Sequence, residues 1–349
     1  MALRIVLYLI ALFPVVVTLL PLSRTSHGWI RFWELPRLQI VALSVAAFAA
    51  VVHFGQGSPI DLAFLALLSG CFIYQTFKLL PYTFLYPRET LDIDFHDPRR
   101  SIRLYIANVE ISNRRADRVL RSIARCDPDL ICLLEPDAWW ESQLRPLDEK
   151  YRHSVKHPLD NSFGILLYSR LPLIDPRLRY RVEQGIPSID CGVRLWSGDR
   201  IRLYCLHPRP PRPWIDTFER DTELLLTGKE VRSSDRPTIV LGDLNDVAWS
   251  YTTRLFQKVS GMLDPRVGRG MYNTYHARIP FLRFSLDHIF HTPHFEFVTM
   301  KRLAGIGSDH FPIFAELSYR ERRRRRLDPL WLAVEEESEE DSRIAGQPR

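Results

Sequence analysis

The stretch Thr238-Ile-Val-Leu-Gly-Asp-Leu-Asn245 carries the strongest fold signal in this sequence. Its first four residues are mostly apolar and β-branched, which predicts a buried strand. Gly242 permits a sharp turn where that strand ends. Asp243 and Asn245 are two residues apart, so they point the same way if the extended conformation continues. Together they can hold a phosphate oxygen or a metal-bound water; the alternative is an ordinary turn, where Gly, Asp and Asn are common.

Length and composition set broad limits on the protein. The 349 residues allow two regions, and 47 Lys and Arg against 41 Asp and Glu give a net charge of +6, which does not by itself require nucleic acid. The five cysteines show no zinc-like spacing, although Cys191 and Cys205 flank a predicted hairpin and can pair if the region is exported. The sequence has no GxSxG, HExxH or P-loop motif, so serine-hydrolase, zinc-protease and NTPase functions lack support.

Residues 1–80 are predicted to be a membrane anchor. Three almost wholly apolar stretches, Ile5–Leu22, Leu38–Phe54 and Leu62–Leu80, are each about long enough to cross a bilayer as a helix. A cleavable signal peptide explains the first stretch only. The alternative is a bundle of three buried helices in a soluble protein. The sequence therefore predicts three transmembrane helices, with the lipid bilayer as a partner.

The charges beside these stretches bear on which side of the membrane the rest of the chain lies. Arg24, Arg31 and Arg37 lie between the first two spans, and the positive-inside rule then places everything after the third span in the cytoplasm. Arg4 and the free amine at the start of the chain favour the opposite orientation. Long domains also cross largely regardless of charge, so both sides stay open.

The remainder of the chain is predicted to be a linker, an α/β domain and a tail. Proline punctuates a polar linker over residues 81–100, and from Ser101 a strand, a helix and a second strand follow one another up to Glu135. The middle of the region is rich in strands, with one helix over about 215–231. The domain extends over residues 101–319. The tail, residues 320–349, has blocks of like charge that are typical of disordered segments.

Nine polar residues lie at or near the ends of predicted strands. Such ends gather at one edge of a sheet in α/β proteins. Carboxylate and amide oxygens suit Mg²⁺ or Mn²⁺ rather than zinc, and histidines without cysteine partners suit proton transfer. The nine residues are Asn108, Glu110, Glu135, His207, Asp243, Asn245, Asp287, Asp309 and His310.

The order of these motifs resembles the endonuclease/exonuclease/phosphatase superfamily, in its deoxyribonuclease-like and membrane-anchored bacterial form. Gly-Asp243-Leu-Asn245 and Ser-Asp309-His310, each after a predicted strand, are specific when they occur together. The resemblance implies a four-layer α/β sandwich, in which two packed mixed β-sheets are flanked by helices. It also implies hydrolysis of a phosphoester by a metal-activated water. With the apolar stretches, it predicts an integral protein of a bacterial plasma (inner) membrane.

The resemblance implies roles for the metal side of the site. Glu135 would be the principal ligand of a Mg²⁺ or Mn²⁺ ion. Asn108 would hold the metal or a phosphate oxygen, and Asp309 would complete the metal side. Glu110 stands where some relatives have a second acid.

The other residues would act on the substrate. Asp243 would orient or deprotonate the attacking water, and Asn245 would stabilise the developing charge. His310, paired with Asp287, would contact the scissile phosphate, and His207 matches the histidine of deoxyribonuclease-like members. For each histidine the alternative is a purely structural role.

The loop Arg209-Pro-Pro-Arg-Pro-Trp214 follows His207 and offers Arg209, Arg212 and Trp214 to bind substrate. Cations can grip a phosphate and an aromatic ring can stack on a base, whereas the alternative is a proline-stiffened surface loop. A membrane anchor favours a phosphoester linked to a lipid, because enzyme and substrate then share one surface. The alternatives are an endonuclease acting on DNA and a membrane-tethered binding or scaffold protein that has lost catalysis.

Overall fold

A computed structural model describes residues 2–212 and 214–321 of the chain. A helical region, residues 2–82, precedes a domain of two β-sheets that ends at Tyr319. Apart from residues 320 and 321, the predicted tail lies outside the described residues.

Three long helices make up most of the first region. They are α1 (Ala2–Leu19), α3 (Arg37–Phe54) and α4 (Pro59–Leu79), with a single turn, α2 (Gly28–Arg31), between the first two. All three are long and apolar enough to cross a membrane. No more than 39% of any of the three spans is buried, so most of their apolar side chains face outward. A soluble helix would bury its apolar face, so this exposure favours membrane association over a soluble bundle.

Two sheets form the second region, and their strands come from both ends of the sequence. The six-stranded sheet has the order β10-β11-β1-β2-β4-β3 and the five-stranded sheet the order β5-β6-β7-β8-β9. In chain order the strands are β1 (Ser101–Asn108), β2 (Leu130–Leu134), β3 (His153–His157), β4 (Ile165–Ser169), β5 (Leu173–Arg179), β6 (Ser188–Arg194), β7 (Arg200–Leu206), β8 (Thr238–Asp243), β9 (Asp287–His291), β10 (Phe295–Arg302) and β11 (Ile313–Tyr319).

Helices cover the outer face of each sheet. The core between the sheets consists of buried aliphatic side chains from both inner faces. On the six-stranded sheet, α5 (Ala116–Cys126) and α6 (Ala138–Gln143) pack through Val119, Ile123 and Trp140. On the other sheet, α7 (Phe218–Ser233) and α8 (Tyr251–Ser260) pack through Leu224 and Phe256. The order helix, sheet, sheet, helix confirms the predicted four-layer sandwich.

The direction of the strands differs from a simple parallel arrangement. Only the pairs β1–β2 and β7–β8 are parallel; the other neighbouring pairs are antiparallel. Asp287 therefore begins β9 rather than ending it, and it lies opposite Asp243, the last residue of β8. An antiparallel neighbour thus brings its first residue to the edge where parallel strands bring their last.

Three strands were not predicted from the sequence. β3 is half-buried and polar, β5 contains Pro176, and β10 is mostly half-exposed, so none shows a clear apolar pattern. The predicted helix over 215–231 begins later, at Phe218.

The structure does not pair Cys191 with Cys205, a disulfide that the sequence left open. Both cysteines are free thiols. In the ladder between β6 and β7, Cys205 lies opposite Ile189 and Cys191 lies opposite Leu203, so the two side chains do not face each other.

The segment 81–100, predicted as a linker, packs along the domain. The Tyr82 hydroxyl donates to the Ala248 carbonyl at 2.6 Å, and the Phe297 amide donates to the Leu91 carbonyl at 2.8 Å. This segment therefore fixes the end of α4 to the sheet domain.

The connection between α1 and α3 also docks on the domain. Arg31 donates to the Thr252 hydroxyl at 2.6 Å, and the Trp249 indole donates to the Glu34 carbonyl at 2.7 Å. Arg31 and Arg37 are buried beside the Glu34 carboxylate, at 3.0 and 3.8 Å. Because these two arginines serve an internal ion-pair cluster, they are weak markers of membrane orientation.

Candidate active site

The ends of β1 and β2 place the first two site residues side by side. The two strands are parallel, with Asn108 opposite Leu134, so Glu135 follows immediately at the same edge. The Asn108 amide nitrogen donates to a Glu135 carboxylate oxygen at 2.8 Å. Glu135 has a left-handed backbone (φ 63°), which turns the chain sharply as it leaves the strand.

The five-stranded sheet supplies the opposite wall. Its contribution is Asp243 at the end of β8, Asp287 at the start of β9, and His207 directly after β7. Gly242 has φ 141°, and a Cβ there would lie 1.9 Å from the Leu206 carbonyl oxygen, so the sharp exit predicted from the sequence requires glycine. The Asn108 amide nitrogen is also 3.2 Å from Asp243 Oδ2, and this contact joins the two sheets.

His310 lies between two carboxylates. Its Nδ1 is 2.8 Å from Asp287 Oδ2 and its Nε2 is 3.6 Å from Asp243 Oδ2. Burial opposes a charge on the ring, but Asp287 and Asp243 outweigh burial and raise the pKa of His310 to about 10. His310 is therefore an imidazolium at neutral pH, held by Asp287.

The pKa of Asp243 is higher than that of an ordinary surface aspartate. Burial raises its pKa to about 6, although the neighbouring His310 and His207 lower it. The Asn245 backbone amide donates to Asp243 Oδ1 at 2.9 Å. A carboxylate whose pKa lies close to neutral can accept a proton during turnover.

His207 differs from His310 in charge. It is buried, its Nε2 is 4.0 Å from Asp243 Oδ2, and burial lowers its pKa. Its Nδ1 has no hydrogen-bond partner in the described part of the chain. His207 is therefore a neutral ring with one buried nitrogen that lacks a protein partner.

The acidic side has the donor chemistry of a divalent-cation site. Burial raises the pKa of Glu135; Asn108 and His310 lower it, and the nearby Asp309 carboxylate raises it again. A divalent cation would stabilise the charge of Glu135 that burial and the neighbouring carboxylate disfavour, and oxygen donors suit Mg²⁺ or Mn²⁺. The residues present therefore fit a metal of this kind.

A second set of ligand atoms, from Asp243, Asp287 and His310, lies within 4.8 Å of one another. His310 donates to Asp287 and carries a proton on each ring nitrogen when charged, so it offers no lone pair to a metal. In the charged form of His310, this set offers only its two carboxylates to a metal.

Glu110 and the Asn108 oxygen are already engaged. Glu110 forms an ion pair with Arg278 and accepts the Asp309 backbone amide at 3.0 Å. The Glu110 backbone amide donates to the side-chain oxygen Oδ1 of Asn108 at 2.9 Å. Asn108 thus turns its NH₂ group toward Glu135 and Asp243, and its side-chain oxygen toward the Glu110 backbone.

The three residues predicted to bind substrate lie at the margin of the site. Arg209 forms an ion pair with Glu183 and its guanidinium lies 5.8 Å from the centre of the Phe163 ring, which in turn contacts the ring of His207. Arg212 is exposed, and 82% of Trp214 is exposed. Only Arg209 is tied to the residues around His207.

Several residues at the site were missed from the sequence. The ring of Tyr275 lies 5.0 Å from that of His310, the Ala277 amide donates to the Asp309 carbonyl at 2.7 Å, and Arg278 pairs with Glu110. All three belong to an irregular loop between α8 and β9, where no strand end marks them. The order Tyr-His276-Ala-Arg in a loop was the only signal, and it is weak.

The fold consists of two packed mixed sheets with acids, amides and histidines at one edge, an arrangement suited to hydrolysis. A family model described as "Endonuclease/Exonuclease/phosphatase family" matches residues 106–310. The chain belongs to this family, whose members are metal-dependent hydrolases of phosphoester bonds, and it is an enzyme of that class. This confirms the family and the enzyme class predicted from the sequence.

Solved structures support the fold. Zebrafish (D. rerio) TDP2 complexed with a single-strand DNA product superposes with TM-score 0.52 at 17% identity, covering 62% of this chain and 99% of that one. The human nocturnin catalytic domain with bound sulfate gives 0.52 at 18%, covering 67% and 98%. An endonuclease/exonuclease/phosphatase from Bacteroides vulgatus gives 0.52 at 19%, covering 63% and 99%. No curated protein matches the sequence.

Proposed function

We propose that this protein is a membrane-anchored phosphoesterase that uses Mg²⁺ or Mn²⁺ to hydrolyse a phosphodiester, phosphomonoester or pyrophosphate carried by a lipid. One observation carries the membrane part of this proposal. Two loops that border the site also contact the helical region, so the site and the predicted spans share one structural unit.

The first of these loops follows His207. Asp216 accepts a hydrogen bond from the Ser26 hydroxyl at 2.6 Å, and the Thr217 amide donates to the Ser26 carbonyl at 2.9 Å. The second loop carries Tyr275, and its Phe281 carbonyl accepts from the Gln39 side chain at 2.6 Å. Ser26 lies in the connection between α1 and α3, and Gln39 lies in the first turn of α3. A lipid substrate at this membrane surface would therefore lie close to the site.

The metal side of the mechanism rests on Glu135 and Asp309. We assign both carboxylates to the cation, with the Asn108 NH₂ group holding Glu135 in position. The ion would polarise the phosphoryl oxygen and lower the pKa of a bound water. Glu110 would act through its ion pair with Arg278 and its bond to the Asp309 amide, and so would position that segment rather than bind the metal directly.

The other residues would move the proton and stabilise charge. Asp243 would accept the proton of the attacking water, because its pKa near neutrality suits a base. The His310 imidazolium, oriented by Asp287, would stabilise charge on the phosphoryl oxygens. Asn245, whose side chain donates to the Pro208 carbonyl at 2.9 Å, would direct its remaining N–H toward the same charge. His207 would donate to, or accept from, the substrate through its unpartnered nitrogen.

DNA is the second candidate substrate. Arg212 and Trp214 are both exposed beside the site, and such a pair can contact a phosphate and stack on a base. Zebrafish TDP2 holds a single-strand DNA product on the same fold, although at 17% identity. A catalytically retired scaffold is disfavoured, because the whole set of polar residues is present at one edge.

A substrate panel tests the proposal. The full-length chain in lipid nanodiscs is supplied with Mg²⁺ and offered lipid pyrophosphate, sphingomyelin, inositol phosphates and single-stranded DNA. We expect the highest kcat/KM on a lipid-linked substrate. Turnover of DNA alone would contradict the lipid assignment and leave the metal mechanism standing, whereas turnover of none would contradict the proposed function.

The proposed location is a bacterial plasma membrane, and a reporter fused after Ser318 assigns the side. Alkaline phosphatase activity there places the site outside the cell, and fluorescence of a cytosol-only reporter places it inside. Activity of neither fusion on fractionated membranes would contradict membrane insertion.

A further inference from the structure

A cavity of about 680 Å³ lies between the first turns of α3 and the loop 269–284. Leu38, Gln39 and Ala42 line it on the helical side. Phe281, Arg283 and Arg302 line it on the domain side. None of the lining residues belongs to the candidate active site, so the cavity is separate from the reacting centre.

Two guanidinium groups in this cavity lack a carboxylate partner. Those of Arg283 and Arg302 lie 5.2 and 4.4 Å from the centre of the same Phe311 ring. Within residues 2–212 and 214–321 neither forms an ion pair, and Arg283 Nε is buried without a hydrogen-bond partner. Burial and the neighbouring Arg283 both lower the pKa of Arg302. Two neighbouring like charges without a carboxylate partner favour the binding of an anion.

A third arginine at the cavity, Arg269, differs from these two because it has a carboxylate partner. Arg269 donates to Asp92 Oδ1 and to the Thr90 carbonyl, both at 2.7 Å. Its charge is neutralised within the protein. Arg302 donates to the Asn273 carbonyl at 3.0 Å, but neither it nor Arg283 has a carboxylate partner among the described residues.

The rest of the cavity is apolar and open to the surroundings. Leu38 is 48% exposed and Phe281 is 73% exposed, at the end of α3 that adjoins the domain. Exposed apolar and aromatic side chains at the end of a predicted span are typical of the lipid interface. An occupant needs an anionic group for the arginines and an apolar part for this wall.

We propose that this cavity binds an anionic phospholipid of the surrounding bilayer. The headgroup phosphate would lie between Arg283 and Arg302, and an acyl chain would run along Leu38, Ala42 and Phe281. This inference rests on the membrane anchoring in the proposed function, but not on the catalytic chemistry.

The bound lipid would influence the active site through the loop it touches. Within loop 269–284, the Ala277 amide donates to the Asp309 carbonyl at 2.7 Å, and the Thr274 carbonyl accepts the Phe311 amide at 2.9 Å. Phe311 is the ring on which both arginines lie. Occupation of the cavity would therefore steady the segment that carries Asp309 and His310, and turnover would rise with anionic lipid.

The test measures lipid retention by the full-length chain. The protein is reconstituted in phosphatidylcholine with phosphatidylglycerol, washed in detergent, and its retained lipid is quantified by mass spectrometry. We expect wild type to retain phosphatidylglycerol and the double variant Arg283→Gln/Arg302→Gln to retain about tenfold less, the scale of a lost charge-assisted contact. The matched control, Arg118→Gln/Arg125→Gln, removes two exposed charges from α5 and should retain lipid as wild type does.

A second variant keeps both charges. Ala42→Trp fills the cavity from the helical side and should also lower retention, which guards against a double variant that fails to fold. Equal retention by wild type and a folded double variant would overturn the proposal. So would equal retention of phosphatidylcholine by wild type, or displacement of phosphatidylglycerol by inorganic phosphate.

The inactive variant Glu135→Gln separates this proposal from the proposed function. It should retain phosphatidylglycerol as wild type does, because Glu135 does not line the cavity. Lipid retention without any turnover by wild type would contradict the proposed function alone. Turnover of a soluble phosphodiester reporter by wild type that is indifferent to phosphatidylglycerol would contradict the coupling through loop 269–284.

Discussion

Asp287 and His288 are neighbours on β9, yet they face two buried clusters of different character. His288 lies in a closed cluster, in which Arg266 donates to Asp264 at 2.9 and 2.8 Å and contacts His288 Nδ1 at 2.6 Å. His288 Nε2 is 2.8 Å from the Asp246 carbonyl, so both ring nitrogens have partners. The side chains of this cluster are bonded to one another or to the backbone of the protein.

Asp287 lies in the open cluster, with Asp243, His207 and His310. Asp287 Oδ1 and His207 Nδ1 are buried and lack hydrogen-bond partners in the described part of the chain. A buried polar atom without a partner is costly, and it persists where a ligand supplies the missing bond. The comparison shows that Asp and His residues side by side in one strand acquire structural or functional roles from the face on which they lie.

Breaking the closed cluster should cost the most stability. Asp264→Asn leaves the fully buried Arg266 without its ion-pair partner, a loss of about 3–5 kcal/mol. The thermal midpoint should fall by on the order of 10 °C for a domain of this size, as measured by thermal unfolding in detergent. Asp160→Asn, at an exposed position, is the control and should barely change it. An unchanged midpoint for Asp264→Asn would remove the distinction between the clusters.

Breaking the open cluster should leave the fold and remove the activity. Asp243→Asn and His310→Ala should each lower kcat by at least about a hundredfold, because each removes a positioned proton acceptor or cation. The midpoint should stay within a few degrees of wild type, and the control His157→Ala should keep its turnover. A folded variant of either residue with near-normal kcat would show that its assigned role is wrong.

The pH dependence sharpens the comparison through the charges of the open cluster. Asp243, with its pKa raised to about 6, binds a proton below that pH and can no longer accept one from water. We therefore expect kcat/KM to rise from pH 5 to pH 7, with a loss of about tenfold at the acid end. His310, with its pKa raised to about 10, stays charged until the solution is strongly alkaline. A flat profile between pH 5 and pH 7 would contradict Asp243 as the base.

The smallest effect is expected at the margin of the open cluster. Glu183→Gln removes the partner of Arg209 and frees its guanidinium beside His207. Partly exposed pairs of this kind are worth about 0.2–1 kcal/mol, so KM for a phosphoester should fall by no more than about fivefold. Steady-state kinetics measure this, with kcat unchanged. An increased KM would show that the ion pair between Arg209 and Glu183 is itself needed for substrate binding.

The sequence predicted the parts of the fold that depend on local pattern. Apolar runs ending in polar residues located β1, β2 and β8, and the glycine in Gly242-Asp243 marked a turn that the structure requires. The strands that were missed, such as β3 and β5, are half-exposed strands at the sheet edges, each paired only with the next strand along the chain. Such edge strands lack the apolar pattern by which a strand is recognised in the sequence.

The site was predictable to a similar limit. Residues at strand ends were named in advance, and the structure brings Asn108, Glu135, Asp243 and His310 to one edge. The sequence did not indicate the orientation of each side chain. Glu110 forms an ion pair with Arg278, and Asn108 turns its NH₂ group inward. The first fact depends on the loop between α8 and β9, whose path no periodicity specifies, and the second on the backbone amide of Glu110.

Metal dependence tests the central claim most directly. Turnover of a phosphodiester reporter by the full-length chain is measured as prepared, in EDTA, and after Mg²⁺ or Mn²⁺ is restored, for wild type and for Glu135→Gln. EDTA should abolish turnover, and either ion should restore it in wild type but not in Glu135→Gln, because the carboxylate that holds the cation is then gone. Full turnover of wild type in chelator, or full recovery of Glu135→Gln, would contradict the account.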